Sequence, residues 1–119
     1  MKKDNILYKK SYKFAIRIVK LSQYLVNEKK EYILSKQILR SGTSVGALVS
    51  ESKFAQSKAD FVNKLMVALK EANETQYWIN LLYDTEYISQ KMYQSLHANS
   101  DELISLLVSI TKTIKNKGI

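Results

Sequence analysis

Four long stretches of this chain repeat apolar residues every three or four positions, and no proline interrupts any of its 119 residues. This spacing places the apolar side chains on one face of an α-helix, and that face must be buried against another element. Because proline is the residue that breaks a helix most strongly, its absence allows all four stretches to run at full length. The sequence therefore predicts an all-α fold.

The predicted helices run from about Asp4 to Glu28, Tyr32 to Lys53, Lys58 to Tyr87, and from a cap at Ser89 towards the C-terminus. Ser57 and Asp60 have the spacing of a capping box at the start of the third helix. Short connections make consecutive helices antiparallel neighbours, so we predict one domain over residues 1–119, an antiparallel up-down four-helix bundle. The predicted core comprises Leu7, Phe14, Ile18, Leu21, Leu25, Leu34, Ile38, Val45, Val49, Phe61, Leu65, Ala68, Ala72, Ile79, Leu82, Met92, Leu96, Leu103, Leu106, Ile110 and Ile114.

The positive charge of the chain is concentrated in its first third. The net charge is +8, and residues 1–40 hold 11 basic and 3 acidic side chains, whereas the remaining residues are balanced. Such asymmetry is typical of a basic face with an acidic partner, most commonly nucleic acid, although a solvated helix face is the simpler interpretation. The candidate nucleic-acid-binding residues are Lys9, Lys10, Lys13, Arg17, Lys20, Lys36 and Arg40.

Two of the helices are apolar on more than one side. On the first helix, Tyr8 and Tyr12 widen the apolar arc beyond a single stripe. The third helix has a second line of residues on the side opposite its core, which includes Trp78, predicted to be exposed. Packing within a bundle explains some of this pattern, but aromatic residues flanked by charges are typical of subunit interfaces. The predicted oligomer interface comprises Tyr8, Tyr12, Val67, Glu71, Glu74, Trp78 and Leu81, with Glu71 and Glu74 expected to meet basic residues of a neighbouring subunit.

The stretch LRSGTSVGALVSE, residues 39–51, has the composition of a phosphate-binding loop but not its pattern. No strand is predicted before it, and neither G-x-G-x-x-G nor G-x-x-x-x-G-K-[ST] is present. Gly42 and Gly46 are instead one helical turn apart, a spacing that lets two helix backbones approach closely. We predict that both glycines lie inside the second helix and serve helix packing.

The sequence offers little support for catalysis or for a cofactor. It has no cysteine and a single histidine, His97, without an acidic residue three positions before it. The pair Glu71 and Glu74 alone is common on solvated helix faces, so we predict no catalytic residues, no metal and no cofactor. No apolar run is long enough to span a bilayer, and the N-terminus lacks a signal-peptide core. We therefore expect a cytoplasmic protein without a membrane partner.

Three stretches resemble a known family: ILRSGTSVGALVSE, QSKADFVNKL and ALKEANETQYWINLL. They are similar to the four-helix-bundle family of large-subunit rRNA intervening-sequence proteins, which is related to the accessory variability protein of diversity-generating retroelements. The resemblance extends from about Tyr12 to Ile110 and implies a ring-like homo-oligomer, typically a pentamer, without catalytic residues. Its retroelement relative implies a basic surface that binds nucleic acid and a reverse transcriptase. The sequence departs from the family at Leu48, where an asparagine is usual, while Glu51 is retained.

These observations lead to one functional hypothesis and one alternative. The chain is expected to be a non-enzymatic, homo-oligomeric bundle whose basic face binds RNA or DNA in an accessory role. The alternative is a protein-interaction or scaffolding module that binds no nucleic acid. Its partners under the first hypothesis are further copies of itself, RNA or DNA, and a nucleic-acid enzyme such as a reverse transcriptase.

Overall fold

The structure, a computed structural model, describes residues 2–116 and the side chains of residues 6–115. Its four helices are α1 (Lys2–Asn27), α2 (Leu34–Ser52), α3 (Lys58–Asp84) and α4 (Gln90–Asn116). This described part of the chain contains no strand, so the predicted all-α fold is confirmed. The main difference in boundaries is the end of α3, which stops three residues before the predicted Tyr87 because Glu86 has a positive φ of 67°.

Side chains satisfy the first backbone N–H groups of three helices. Ser57 is the N-cap of α3, where its hydroxyl accepts a hydrogen bond from the N–H of Asp60 at 3.0 Å. At the start of α4, the hydroxyl of Ser89 accepts from the N–H of Met92 at 3.2 Å. At the start of α2, the buried carboxylate of Glu31 accepts from the N–H of Ser35 at 2.8 Å, a cap that the sequence analysis missed. These bonds fix where α2, α3 and α4 begin.

Each helix packs against the next along the chain, and α1 also packs against α4, which closes the bundle into a square. Across each boundary, residues nearer the C-terminus of one helix contact residues nearer the N-terminus of its neighbour, so neighbouring helices are antiparallel. Across the α1–α2 boundary, for example, Ser22 bonds to the carbonyl of Ser35. Further along the same boundary, Gly42, which is later in α2, contacts Ile18, which is earlier in α1. The molecule measures 47 × 22 × 19 Å, as expected of helices this long packed side by side.

Leucine, isoleucine and valine side chains from all four helices fill the core, and α3 adds Ala68 and Ala72. One core prediction is wrong: Leu107 is fully buried, and the predicted Leu106 is only half-buried. After Leu103 the core stripe of α4 advances by four residues instead of three, and both steps are compatible with a period of 3.6. Four further predicted core residues pack at the edge of the core and are half-buried: Leu34, Phe61, Met92 and Ile114.

Within residues 2–116, no helix is both long enough and apolar enough to cross a membrane.

Gly42 and Gly46 lie inside α2 on the side that contacts α1. A β-carbon on Gly42 would lie 2.7 Å from two side-chain carbons of Ile18, and one on Gly46 would lie 3.3 Å from the backbone oxygen of Ser11. The stretch at residues 39–51 is therefore a helix packed closely on its neighbour.

Candidate functional site

Three of the candidate basic residues form an exposed line along α1, which we call the outer strip: Lys9, Lys13 and Lys20. They lie on the side of α1 opposite the buried residues Phe14 and Ile18. None of the three has a carboxylate partner among the side chains that the structure describes. The outer strip therefore presents uncompensated positive charge to solvent.

Lys10 and Arg17 lie on the flank of α1 that faces α4. Lys10 is half-buried, and its ammonium group is 3.0 Å from the carboxylate of Glu102. Arg17 donates from Nη1 to the hydroxyl of Ser95 at 2.9 Å and to the side-chain oxygen of Asn99 at 2.5 Å. Together with Lys13, these two residues line a groove of about 340 Å³ between α1 and α4. The structure thus brings Lys10, Lys13 and Arg17 to one place.

Lys36 and Arg40 lie on α2 and do not join this groove. Lys36 is exposed near the start of the helix. The guanidinium of Arg40 binds two carboxylates of the same chain, Glu71 at 3.0 Å and Glu74. Because two negative charges offset that of Arg40, this residue adds little to a surface that attracts anions.

The same ion pairs change the interpretation of Glu71 and Glu74. We expected these glutamates to meet basic residues of a neighbouring subunit, but their partner is Arg40 on the adjacent helix of their own chain. The two glutamates are three residues apart, so they lie on one flank of α3, and this flank faces α2. The ion pairs therefore tie α2 to α3 within one bundle.

Trp78 is half-buried and packs against the core, so the expectation of an exposed tryptophan is wrong. Its indole Nε1–H donates to the carboxylate of Glu74 at 3.1 Å. The exposed aromatic residue at this point is its neighbour Tyr77, with 59% of its surface accessible. Helical periodicity predicts only the direction of the α-carbon to β-carbon bond, which for Trp78 points away from the core. The indole is wide enough to reach over the flank of α3 towards the core.

The hydrogen bond from Trp78, and secondarily the ion pair with Arg40, lower the pKa of Glu74 below its ordinary value of 4.5. The carboxylate therefore stabilises the folded state at any pH above its unfolded pKa, and this contribution is lost as the pH falls through the folded pKa. We expect Trp78→Phe to remove up to about 1 kcal/mol of this pH-dependent stability, because the site is partly solvated.

Urea unfolding at neutral pH and at about pH 3 measures this effect. The difference in free energy of unfolding between wild type and Trp78→Phe should shrink as the pH falls through the folded pKa of Glu74, because protonation removes the charge that the indole N–H stabilises. An equal difference at the two pH values would show that Trp78 stabilises the protein through packing alone.

Tyr8 and Tyr12 lie beside α2, where they line a shallow depression of about 270 Å³ together with Thr43, Gly46 and Ala47. Their rings stack with centroids 6.4 Å apart, and 59% of the surface of Tyr12 is accessible. The two parts of the predicted interface therefore flank α2 on opposite sides, with the tyrosines on one side and the α3 residues on the other. Val67 and Leu81 are both half-buried on α3.

One further basic residue lies beside the tyrosines and was missed by the sequence analysis. The ammonium of Lys53 is 4.0 Å from the centroid of the Tyr8 ring, a cation–π contact. No signal in the sequence could have linked these residues, because they come together only when α1 and α2 pack.

At the family's asparagine position, Leu48 is half-buried and packs against the core.

Among the described residues, no three side chains of the His, Asp or Glu type lie close enough together to hold a metal. His97 is half-buried, with its Nδ1 3.4 Å from the carboxylate of Asp101 and its ring 5.3 Å from that of Tyr93. What the arrangement can do is attract and hold an anion at the basic residues of α1.

Comparison with known proteins identifies the family of this chain. Residues 3–109 match the model of the 23S rRNA-intervening sequence protein family. The chain belongs to this family. A crystal structure from Bacteroides thetaiotaomicron VPI-5482 is similar to it, with 58% sequence identity and a TM-score of 0.91 over 92% of this chain and 98% of the other.

That Bacteroides protein is described as a protein of unknown function from the S23 ribosomal protein family. No curated protein matches the chain. The matches therefore establish the family of the chain and a relative of similar fold and nearly the same length. They indicate no enzyme family.

Proposed function

We propose that this chain is a non-enzymatic, homo-oligomeric bundle protein of the cytoplasm that binds RNA or DNA through α1. The observation that carries the proposal is the outer strip, in which Lys9, Lys13 and Lys20 are exposed without a carboxylate partner among the described side chains. A lysine-rich face that serves only solubility usually carries both signs of charge interspersed.

The physical basis of such binding is the release of counterions from the phosphate backbone. Each lysine that neutralises a phosphate frees a condensed cation, so the affinity depends strongly on salt. Contacts of this kind position a protein on nucleic acid and carry little sequence information. The proposal is therefore an accessory role that holds nucleic acid, with sequence preference arising elsewhere.

Fluorescence anisotropy with labelled single-stranded RNA and DNA, repeated over a series of salt concentrations, tests this proposal. For three phosphate contacts, the logarithm of the binding constant should fall with the logarithm of salt with a slope of about −2 on a single strand. Absence of binding at low salt would refute the nucleic-acid function.

The homo-oligomer that we propose is supported by a surface of small and apolar residues centred on α2. Ala47 is exposed in the middle of that helix, with Thr43 on the turn before it and Ser50 on the turn after. Beside it, α1 exposes three large residues: Tyr12 at 59%, Ile16 at 42% and Val19 at 38%. Small residues allow a second helix to approach α2 closely, and the resemblance to ring-forming relatives makes another copy of the chain the expected occupant.

Ala47→Arg is expected to abolish assembly and to leave the bundle folded, because position 47 is exposed within one chain and would be buried between copies. Light scattering should then give a mass near 13.7 kDa, that of a single chain. The matched control is Ala98→Arg, which introduces the same charge at an exposed alanine of α4. If Ala47→Arg and wild type had the same mass, the interface would lie elsewhere.

One observation favours the alternative of a protein-interaction module. Phe54, just after α2, has 85% of its surface accessible, which is more than any other large apolar residue that the structure describes. An isolated exposed aromatic residue is a common anchor for a partner protein. A protein that assembles and does not bind nucleic acid at low salt would support this second function.

A further inference from the structure

The two arginines of this chain are held in opposite ways. Arg40 is bound by two carboxylates, which offset its charge. Arg17 is bound by a hydroxyl and an amide oxygen, both of which are neutral. Arg17 is thus held in one orientation while its positive charge remains available, which is the arrangement expected of a group prepared for an anionic ligand.

The hydrogen bonds of Arg17 leave part of its guanidinium free. Its two hydrogen bonds to described side chains, Ser95 and Asn99, both come from Nη1, and a guanidinium has five N–H donors. The donors on Nη2 and Nε therefore remain for a ligand. Two parallel N–H groups match the spacing of two phosphate oxygens, which is why arginine binds phosphate with a geometry that lysine cannot reproduce.

The surroundings of Arg17 form a site of suitable size and charge. The groove between α1 and α4 has a volume of about 340 Å³, at the lower end of the range for small-molecule sites. Lys13 lines it without a carboxylate partner among the described side chains, and Lys10 contributes a charge that Glu102 offsets. The floor consists of the buried residues Phe14 and Leu103, whose low polarity strengthens the attraction between charges above them.

We propose that this groove binds a single phosphodiester of a nucleic-acid strand, with Arg17 and Lys13 as its ligands and with Asn99 and Ser95 as positioning residues for Arg17. The inference rests on the proposed nucleic-acid function and adds a specific site to it. The outer strip then follows the backbone of the strand on either side, and the groove fixes where one phosphate lies.

Three variants distinguish the contribution of the paired N–H donors of Arg17 from that of its positive charge. Arg17→Ala should weaken binding of a labelled RNA oligonucleotide at least tenfold and reduce the salt slope by about 0.7, the share of one phosphate contact. Arg17→Lys should leave the slope unchanged and still weaken binding about tenfold, because the paired donors are lost. Asn99→Ala keeps every charge and should weaken binding severalfold by releasing the guanidinium.

The control is Lys112→Ala, which removes one exposed charge from α4 and should leave the affinity nearly unchanged. Circular dichroism of each variant establishes that the bundle is intact. If Arg17→Lys or Asn99→Ala bound RNA as tightly as wild type, the groove proposal would be overturned, while the outer strip could still carry the nucleic-acid function.

A second measurement distinguishes this failure from failure of the proposed function. Nuclear magnetic resonance follows the side-chain amide of Asn99 during titration with a dinucleoside monophosphate and, separately, with inorganic phosphate. A shift with the dinucleotide that is absent in Arg17→Ala supports a phosphodiester site. A shift with inorganic phosphate alone assigns the groove to a free anion and overturns the proposal, as does the absence of any shift.

Discussion

Gly42→Ala is expected to lower the free energy of unfolding by about 1 to 2 kcal/mol, although alanine is the better helix former by about 1 kcal/mol. The added β-carbon would lie 2.7 Å from both Cγ atoms of Ile18, a residue with no accessible surface. The side chain of Ile18 is β-branched and enclosed by the core, so it cannot rotate away. The helices α1 and α2 must separate, and the contacts around the overlap are weakened.

A double-mutant cycle with Ile18→Ala identifies this overlap as the cause. Ile18→Ala alone should cost about 3 kcal/mol through the cavity that it leaves. In that background both Cγ contacts are removed, and the β-carbon of residue 18 remains at 3.1 Å, a tight contact that offsets the gain in helix propensity. Gly42→Ala should therefore be close to neutral there, which corresponds to a coupling energy of about 1 to 2 kcal/mol between the two positions, measured by urea unfolding of all four proteins.

Gly46→Ala is the matched control, because it lies on the same face of α2 one turn later. Its β-carbon would be 3.3 Å from the backbone oxygen of Ser11, a tight contact without overlap. We expect a change close to zero, since the gain in helix propensity offsets the crowding. Equal destabilisation by Gly42→Ala and Gly46→Ala would mean that the loss of glycine, and not the contact with Ile18, is responsible.

The second large effect concerns the outer strip. Reversing Lys9, Lys13 and Lys20 together to glutamate should weaken the binding of RNA and DNA by at least about a hundredfold at moderate salt. Each reversal removes one counterion-release contact and adds a repulsion between the new carboxylate and the phosphates. The folded state should be little affected, because the three side chains are exposed.

The matched control reverses three exposed lysines outside α1, namely Lys58, Lys91 and Lys112. Both triple variants change the net charge of the chain by the same amount, so any difference between them reports position and not total charge. Anisotropy titrations over a salt series measure both. If the two triple variants lost affinity equally, nucleic acid would be attracted by the overall charge, and α1 would have no special part.

The fold could be predicted from the sequence because helices with a strong apolar period need little tertiary information. The apolar period predicted the core residues of α1 correctly, because all five are buried: Leu7, Phe14, Ile18, Leu21 and Leu25. The apolar period predicted the core of α4 less reliably, because a step of three residues from Leu103 leads to Leu106 and a step of four leads to Leu107. Periodicity also gives no information on how far a side chain reaches, so it placed Trp78 on the side of α3 opposite the core, as an exposed residue of the predicted interface.

The site was predicted less completely, because charge interactions depend on which helices become neighbours. The sequence singled out seven candidate basic residues from the charge of the first third of the chain and their helical positions, but their division into three groups follows from packing. Arg40 meets Glu71 and Glu74 across the α2–α3 boundary, and Arg17 meets Ser95 and Asn99 some 80 positions later in the chain. No local pattern predicts pairs at such separations.

The way in which the bundle closes has a consequence for how the chain folds. Three of the four helix boundaries join consecutive helices, whereas the boundary between α1 and α4 joins the two ends of the chain. Contacts between distant parts of a chain carry the largest loop-closure entropy, so we expect this boundary to form after the transition state. Substitutions at Arg17 or Asn99 should then accelerate unfolding and leave the refolding rate almost unchanged.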